Sequence, residues 1–410
     1  HAPWLWGALL VLLVACSTGP SERRPADAGD QTDGASSDVV EDRASVRVAT
    51  YNASLYRQTQ GQLRDDLAGG EDEQARKVAQ VLQRVRPDVV LVNEFDWDAE
   101  GASARIFAEE YLAVGQGGEE PLDYPFRYVP ETNTGVHSGV DLNQDGQVAS
   151  EPGSQAYGND AFGFGQFPGQ YGMVIYSTYP IDESGVRSFR ELLWADMPDN
   201  LLPTEWYSEA AADVLRLSSK NHVDVPIEVD GRTVHLLASH PTPPSFDGDE
   251  DRNGRRNHDE IRFWRDYVAG ADKAAWIRDD QGGTGGLGED AAFVIVGDLN
   301  SDPNDGDSRH EGIVGLLEHA RTQDTRPGSE GARLAAESEG GANARHEGPP
   351  RLDTANFSDG RVGNLRVDYA LPSANVQVTE SSVFWPEDGQ VGAELLDASD
   401  HRLVFVDIEF

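Results

Sequence analysis

From residue 46 onward, short apolar runs alternate with segments whose apolar positions recur every three or four residues. Residues 46–50 predict a strand. Over residues 72–86, Val78, Val81, Leu82 and Val85 fall at helical spacing, and Pro87 marks the stop. Residues 89–92 are apolar throughout, which predicts a strand buried on both faces. A helix is expected over 102–114, strands over 171–176 and 234–239, and a helix over 258–277 with Ile261, Trp264, Val268, Ala271 and Ala275 on one face. Further strands are expected at 292–296, 365–371 and 403–408. Buried strands interleaved with amphipathic helices predict an α/β architecture. Two stretches break the rhythm and are expected as loops or insertions: 130–170, rich in Gly, Asn, Asp and Gln, and 325–362, rich in Gly, Glu and Ala. No internal repeat is visible.

Residues 4–15 form an apolar run of about a dozen residues, too short to span a bilayer and suited to the core of a signal peptide. The run ends in Leu13-Val14-Ala15-Cys16, which resembles the bacterial lipobox; the resemblance implies that Cys16 is lipidated and becomes the new N-terminus. Cys16 is the chain's one cysteine, so no internal disulfide can form. Residues 17–45 carry Ser, Asp, Gly, Ala and Pro without apolar period and are expected to form a disordered acidic tether. The expected organisation is a lipoprotein-type signal peptide over 1–16, the tether over 17–45 and a folded domain over 46–410. The expected location is extracytoplasmic, lipid-anchored to a bacterial membrane or secreted.

Composition narrows the function. The 410 residues hold 33 Lys+Arg against 72 Asp+Glu, a net charge of −39. The tether contributes three Arg and seven carboxylates, so −35 belongs to the domain. Such a surface argues against a protein that grips DNA or RNA through a broad basic face. It leaves room for a small site that draws in a phosphoester through a metal ion. There are three lysines, Lys77, Lys220 and Lys273, and the remaining cations are Arg.

Polar residues cluster where the apolar strands end. The first strand runs into Tyr51-Asn52, the second into Asn93-Glu94, the 234–239 strand into His240, and the 292–296 strand into Asp298-Leu299-Asn300. Asp368 lies in the 365–371 strand, and Ser399-Asp400-His401 precedes the last. Strand termini at one sheet edge are where α/β proteins build sites. Carboxylates and amides with few His and no Cys suit a hard cation such as Mg²⁺, Mn²⁺ or Ca²⁺ rather than Zn²⁺.

These residues resemble the endonuclease/exonuclease/phosphatase superfamily of metal-dependent phosphoesterases. The matching pieces are Thr50-Tyr51-Asn52, Val92-Asn93-Glu94, residues 171–181, Ser239-His240, Gly297-Asp298-Leu299-Asn300, Val367-Asp368-Tyr369 and Ser399-Asp400-His401, in the family's order. The resemblance implies a four-layer sandwich of two packed mixed β-sheets flanked by helices. It implies that Glu94 ligates Mg²⁺ or Mn²⁺ with Asn52 beside it, and that Asp400 completes the metal or His environment. Asp298 and Asn300 would orient the attacking water and hold the phosphate. His401, fixed by Asp368, would be general base or phosphate contact, and His240 would assist the leaving oxygen. Glu131 is a candidate partner for His240, as in the deoxyribonucleases. The 130–170 insertion departs from the small nucleases of the family.

One further motif stands apart. Asp249, Asp251, Asn253, Gly254 and Glu260 match the EF-hand loop expression, which would bind Ca²⁺. Against it, no helix is expected before the loop, and Asn257-x-x-Glu260 makes a capping box. Arg252, Arg255 and Arg256 could instead form a phosphate-facing patch. The expected activity is hydrolysis of a phosphodiester, nucleic acid among the candidate partners. The alternatives are a phosphatase or sphingomyelinase-like phospholipase, and a catalytically dead surface-anchored binding module. No protein partner is implied; the membrane is reached through the lipid anchor.

Overall fold

The computed structural model describes residues 45–410. The signal-peptide and lipidation expectations, Cys16 included, and the tether up to residue 44 lie outside the described residues. Strands β1 (Ser45–Asn52), β2 (Val89–Asn93), β3 (Phe126–Tyr128), β4 (Met173–Ser177), β12 (Gln377–Val383) and β13 (Val404–Glu409) form one mixed sheet, in the order β12-β13-β1-β2-β4-β3. Strands β5 (Arg187–Ser188), β6 (His222–Val229), β7 (Arg232–Ser239), β8 (Ala292–Asp298) and β11 (Asp368–Pro372) form a second, in the order β11-β8-β7-β6-β5. A short pair, β9 (Ala355–Asn356) and β10 (Asn364–Leu365), stands beside them.

Strand alternation explains the layering. In the first sheet Val46, Val48, Val89, Leu91, Met173 and Ile175 point inward and meet Val223, Val225, Leu236, Ala238, Val294 and Val296 of the second. The opposite face, with Tyr51, Val90, Val92 and Tyr176, packs on the helix Glu73–Val85 and on residues 102–112. The second sheet turns Leu237, Phe293, Ile295, Tyr369 and Leu371 toward the helices Arg252–Ala269 and His310–Leu317. The result is a four-layer helix–sheet–sheet–helix sandwich. Both faces of the central strands are covered, so their sequences read as unbroken apolar runs.

Local differences from expectation have physical causes. The helix expected over 258–277 is Arg252–Ala269, ended by Gly270 at φ +88°. Its polar first turns were hidden because Asn257 is no cap: it is buried mid-helix and donates from Nδ2 to the carbonyls of Thr242 and Leu299. The 325–362 stretch is not all loop, since Ser329 caps a helix at Glu330–Glu339 by accepting from the Ala332 amide. The 130–170 insertion is mostly irregular, with a short helix at Gln155–Asn159 and single bridges from Thr134 to Gly163 and from His137 to Ala161. No helix among the described residues is long and apolar enough to cross a membrane.

One close approach positions the site. β7 and β8 run parallel, and a Cβ at Gly297 would lie 2.0 Å from the Ser239 carbonyl oxygen, at a φ of +149°. Only glycine allows these strand ends to come together. Gly297→Ala is therefore expected to lower the unfolding free energy by roughly 2–3 kcal/mol in urea denaturation. The exposed Gly288, with nothing within 4 Å of its Cβ position, should accept Ala neutrally or with a slight gain.

Candidate active site

Strands from both sheets deliver polar side chains to one end of the sandwich. β1 ends in Asn52, β2 runs into Glu94, β7 into His240, and β8 ends in Asp298. β11 begins with Asp368, paired in register with Asp298, and His401 lies just before β13. Asn52, His240, Asp298, Asp368 and His401 are all buried.

They converge on a single atom. Asp298 Oδ2 accepts from Asn52 Nδ2 at 3.0 Å and lies 3.4 Å from His240 Nε2 and 3.6 Å from His401 Nε2. The other oxygen, Oδ1, accepts the Asn300 amide at 2.9 Å, and the Asp298 amide donates to Asn93 Oδ1 at 3.3 Å. Asn300, at φ +52°, donates from Nδ2 to the Pro241 carbonyl, so its amide clamps the loop after His240. His401 Nδ1 donates to Asp368 Oδ2 at 2.9 Å, and Thr354 Oγ1 donates to the same oxygen at 2.8 Å. Ser399 Oγ donates to the Asn52 carbonyl and accepts the His401 amide, tying the 399–401 turn to β1.

Charge is distributed unevenly over this cluster. Burial alone would push Asp298 up, but His401, His240 and the Asn52 amide hold it well below the ordinary carboxylate range. Burial would lower His401, yet the Asp368 and Asp298 carboxylates outweigh it and raise the imidazole to about 10. His240 moves the other way: burial and the Lys220 charge lower it against the pull of Asp298. Its Nδ1 is buried with no hydrogen-bond partner. At neutral pH the site therefore holds an ionised Asp298, a protonated His401 and a neutral His240.

Two expected metal ligands line the rim. Glu94 is half-buried at φ +57°, and its carboxylate makes no hydrogen bond or ion pair among the described residues. Asp400 is exposed and accepts from Ser54 Oγ at 3.3 Å. Both charges push the Tyr56 hydroxyl up, after its burial, so they face a common region. Asp298, Asp368 and His401 also place one ligand atom each within 4.8 Å of one another, the one such group among the described residues. There, however, both ring nitrogens of His401 already face carboxylates, as suits a proton relay more than an open cage.

Beside Glu94 and His240 opens a cavity of about 460 Å³. Its far wall comes from the 130–170 insertion, through Leu142, Asn159 and Phe164. Lys220 and Arg256 also line it.

Three expectations are corrected. The calcium loop does not form: Asn253 lies in the first turn of the Arg252–Ala269 helix, and Asp251 accepts from Arg309 at 2.6 Å. Glu260 is fully buried, its two oxygens accepting the Ser219 and Thr242 amides, and no contact joins it to Asp249 or Asp251. The arginine patch is engaged elsewhere, Arg252 by Glu250, Arg255 by Glu205 and the buried Arg256 by three backbone carbonyls. Glu131 pairs with Arg190 at 2.7 Å and not with His240. Conversely, Thr354, Asn93, Ser399 and Lys220 belong to the site. Asn93 and Ser399 stand inside the strand-end motifs without a role assigned to them, and Thr354 and Lys220 carry no sequence signal at all.

The family model described as the Endonuclease/Exonuclease/phosphatase family matches residues 49–401. The fold is similar to that of an endonuclease/exonuclease/phosphatase from Beutenbergia cavernae DSM 12333, at 20% identity and a TM-score of 0.50, over 90% of this chain and 72% of that one. Sphingomyelinase C from Streptomyces griseocarneus matches at 15% identity and a TM-score of 0.44, over 89% and 99%. Truncated TDP2 from Caenorhabditis elegans matches at 14% identity and a TM-score of 0.42, over 89% and 98%. No curated protein matches the sequence.

The paired carboxylates make a direct prediction. Asp368→Asn removes the largest of the three charges that raise His401, ahead of Asp298 and Asp400, and leaves its burial in place. Ring-nitrogen NMR should then show His401 protonated at pH 8 in the parent and neutral in the variant; an unchanged titration would refute the pairing.

Proposed function

This chain belongs to the endonuclease/exonuclease/phosphatase family, and on that footing we propose that it is a divalent-metal-dependent hydrolase of phosphodiesters, of the endonuclease/exonuclease type. The observation that carries the reading is the convergence of Asn52, His240 and His401 on Asp298 Oδ2, beside the unpartnered Glu94. Glu94, Asp400 and the Asn52 amide oxygen offer only oxygen donors, which fit Mg²⁺ or Mn²⁺. When bound, such a cation would neutralise charge on the phosphate.

The chain's own groups divide the remaining work. Ionised Asp298 orients the attacking water as a hydrogen-bond acceptor, and the water's proton passes to neutral His240, the unprotonated imidazole 3.4 Å from the same oxygen. Protonated His401 donates from Nε2 to a non-bridging phosphate oxygen, and Asp368, held by Thr354, fixes its ring. His240 lines the cavity, and once it holds the water's proton it gives that proton to the departing oxygen. Asn300 positions the loop carrying His240. A dead binding module would be expected to lack members of this set, and all are present.

A second reading, a phosphatase or sphingomyelinase-like phospholipase, is favoured by one observation: the cavity beside Glu94 and His240 is walled by the insertion. Bis-p-nitrophenyl phosphate, p-nitrophenyl phosphate, plasmid DNA and sphingomyelin separate these readings. The diester should be hydrolysed with Mg²⁺ and not in EDTA. His401→Ala should lower kcat by roughly 10²–10⁴-fold. Activity surviving both treatments would refute the mechanism.

We also propose that Cys16 carries a lipid and holds the domain outside the cytoplasm. Palmitate labelling in a bacterial host should mark the parent and be lost in Cys16→Ala; labelling that persists would refute the anchor.

A further inference from the structure

Lys220 is an anomaly among the three lysines. Lys77 is ion-paired with Asp397 and Lys273 is exposed. Lys220 is only 6% exposed, yet its ammonium has no hydrogen-bond or ion-pair partner among the described residues. Its backbone is fixed. The Lys220 carbonyl accepts the Asn133 amide at 2.9 Å, and the neighbouring Ser219 amide is held by Glu260. The pairing of His222 with Ser239 sets Lys220 alongside His240 at the end of the second sheet. A buried ammonium without a partner is costly and is retained where an anion completes it.

The space it faces is small. At about 460 Å³ the cavity lies within the range of small-molecule sites, roughly 300–1,000 Å³. Its outer wall is firmly attached: a Cβ at Gly163 would lie 1.7 Å from the Ser219 carbonyl oxygen, so the insertion packs directly on the segment bearing Lys220. Phe164 and Asn159 of the insertion give the cavity one apolar and one hydrogen-bonding surface. The two arginines that also line the cavity are engaged, Arg252 by Glu250 and Arg256 by three carbonyls, which leaves Lys220 as the free positive charge. A polyanion would meet a domain of net charge −35, whereas a single phosphate group would meet this local cation.

We propose that this cavity is the substrate pocket for a compact phosphodiester, one phosphate carrying a small organic group, and that Lys220 binds the phosphate. This rests on the phosphodiesterase reading above and narrows it away from polynucleotides. The insertion then serves as the wall that admits a small ester and excludes a duplex.

The test uses the full chain with Mg²⁺ and two probes, thymidine 5′-(p-nitrophenyl phosphate) and supercoiled plasmid. The small ester should have the higher kcat/KM. Lys220→Met should raise its KM at least tenfold with a smaller effect on kcat, and Lys220→Arg should restore part of the loss. The melting temperature of Lys220→Met should be unchanged or higher, because an unpaired buried charge is gone. A purely structural lysine would instead give a lower melting temperature and an unchanged KM. Calorimetric binding of thymidine 5′-phosphate reads the pocket without turnover: binding at least tenfold weaker in Lys220→Met, or in Lys220→Gln if the first variant fails to fold, supports the proposal. Equal binding overturns it. Plasmid cleaved with the higher kcat/KM overturns the pocket and leaves the hydrolase standing; a parent that cleaves neither probe but binds the nucleotide through Lys220 sinks the hydrolase reading and leaves the pocket.

Discussion

A carboxylate withdrawn from water must find donors, and the architecture of this site follows from how Asp298 finds them. Its Oδ2 takes an amide from the first sheet and faces two imidazoles, one from the end of β7 and one from the turn before β13. These donors come from segments separated by up to about 350 residues in the chain, so the cluster exists only when the two sheets are stacked. Removing one donor would leave a buried charge under-compensated, which is the expensive way to lose an ion pair. Gly297 is the steric condition for the arrangement, because any side chain there would hold β7 and β8 apart.

The surroundings of that carboxylate are strained and polarised in ways that suit chemistry more than stability. Ser54, Glu94, Tyr171 and Asn300, all at or near the site, adopt positive φ without being glycine. Such conformations persist where neighbouring structure over-determines them. Phe95 and Trp97 amides donate to the Gly172 and Gly169 carbonyls and lock the segment after Glu94 against the insertion's end. The insertion thus builds one flank of the site, where Lys220 brings a positive charge into an acidic domain.

Much of the fold was legible because central strands are buried on both faces, so residues 89–92 and 292–296 are apolar at every position. β6 escaped because its sequence, His222–Val229, contains His, Asp, Pro and Glu. Burial is tolerated there because His222 bonds Ser218 and Asp224 bonds Tyr267 and His235. β12 escaped because it is an edge strand with a polar, solvent-facing side. The site's principal residues were legible as polar groups at strand termini, joined to a family order. The roles of their helpers were not: Thr354 carries no sequence signal, and Asn93, though part of a strand-end motif, acts through an amide contact that only the folded chain makes. Glu260 serves neither the calcium loop nor the capping box that its spacing offered, because the Ser219 and Thr242 amides, brought in by other segments, occupy its two oxygens.

The central claim is that His240 and His401, from different parts of the chain, work on one phosphate through Asp298. The most direct measurement is a double-mutant cycle on kcat/KM for bis-p-nitrophenyl phosphate with His240→Ala, His401→Ala and the pair. Groups that act as a unit are strongly non-additive. The account predicts that each single variant loses most of the activity and that the double variant is little worse than either. Losses that simply add, or a single variant with parental activity, would contradict it.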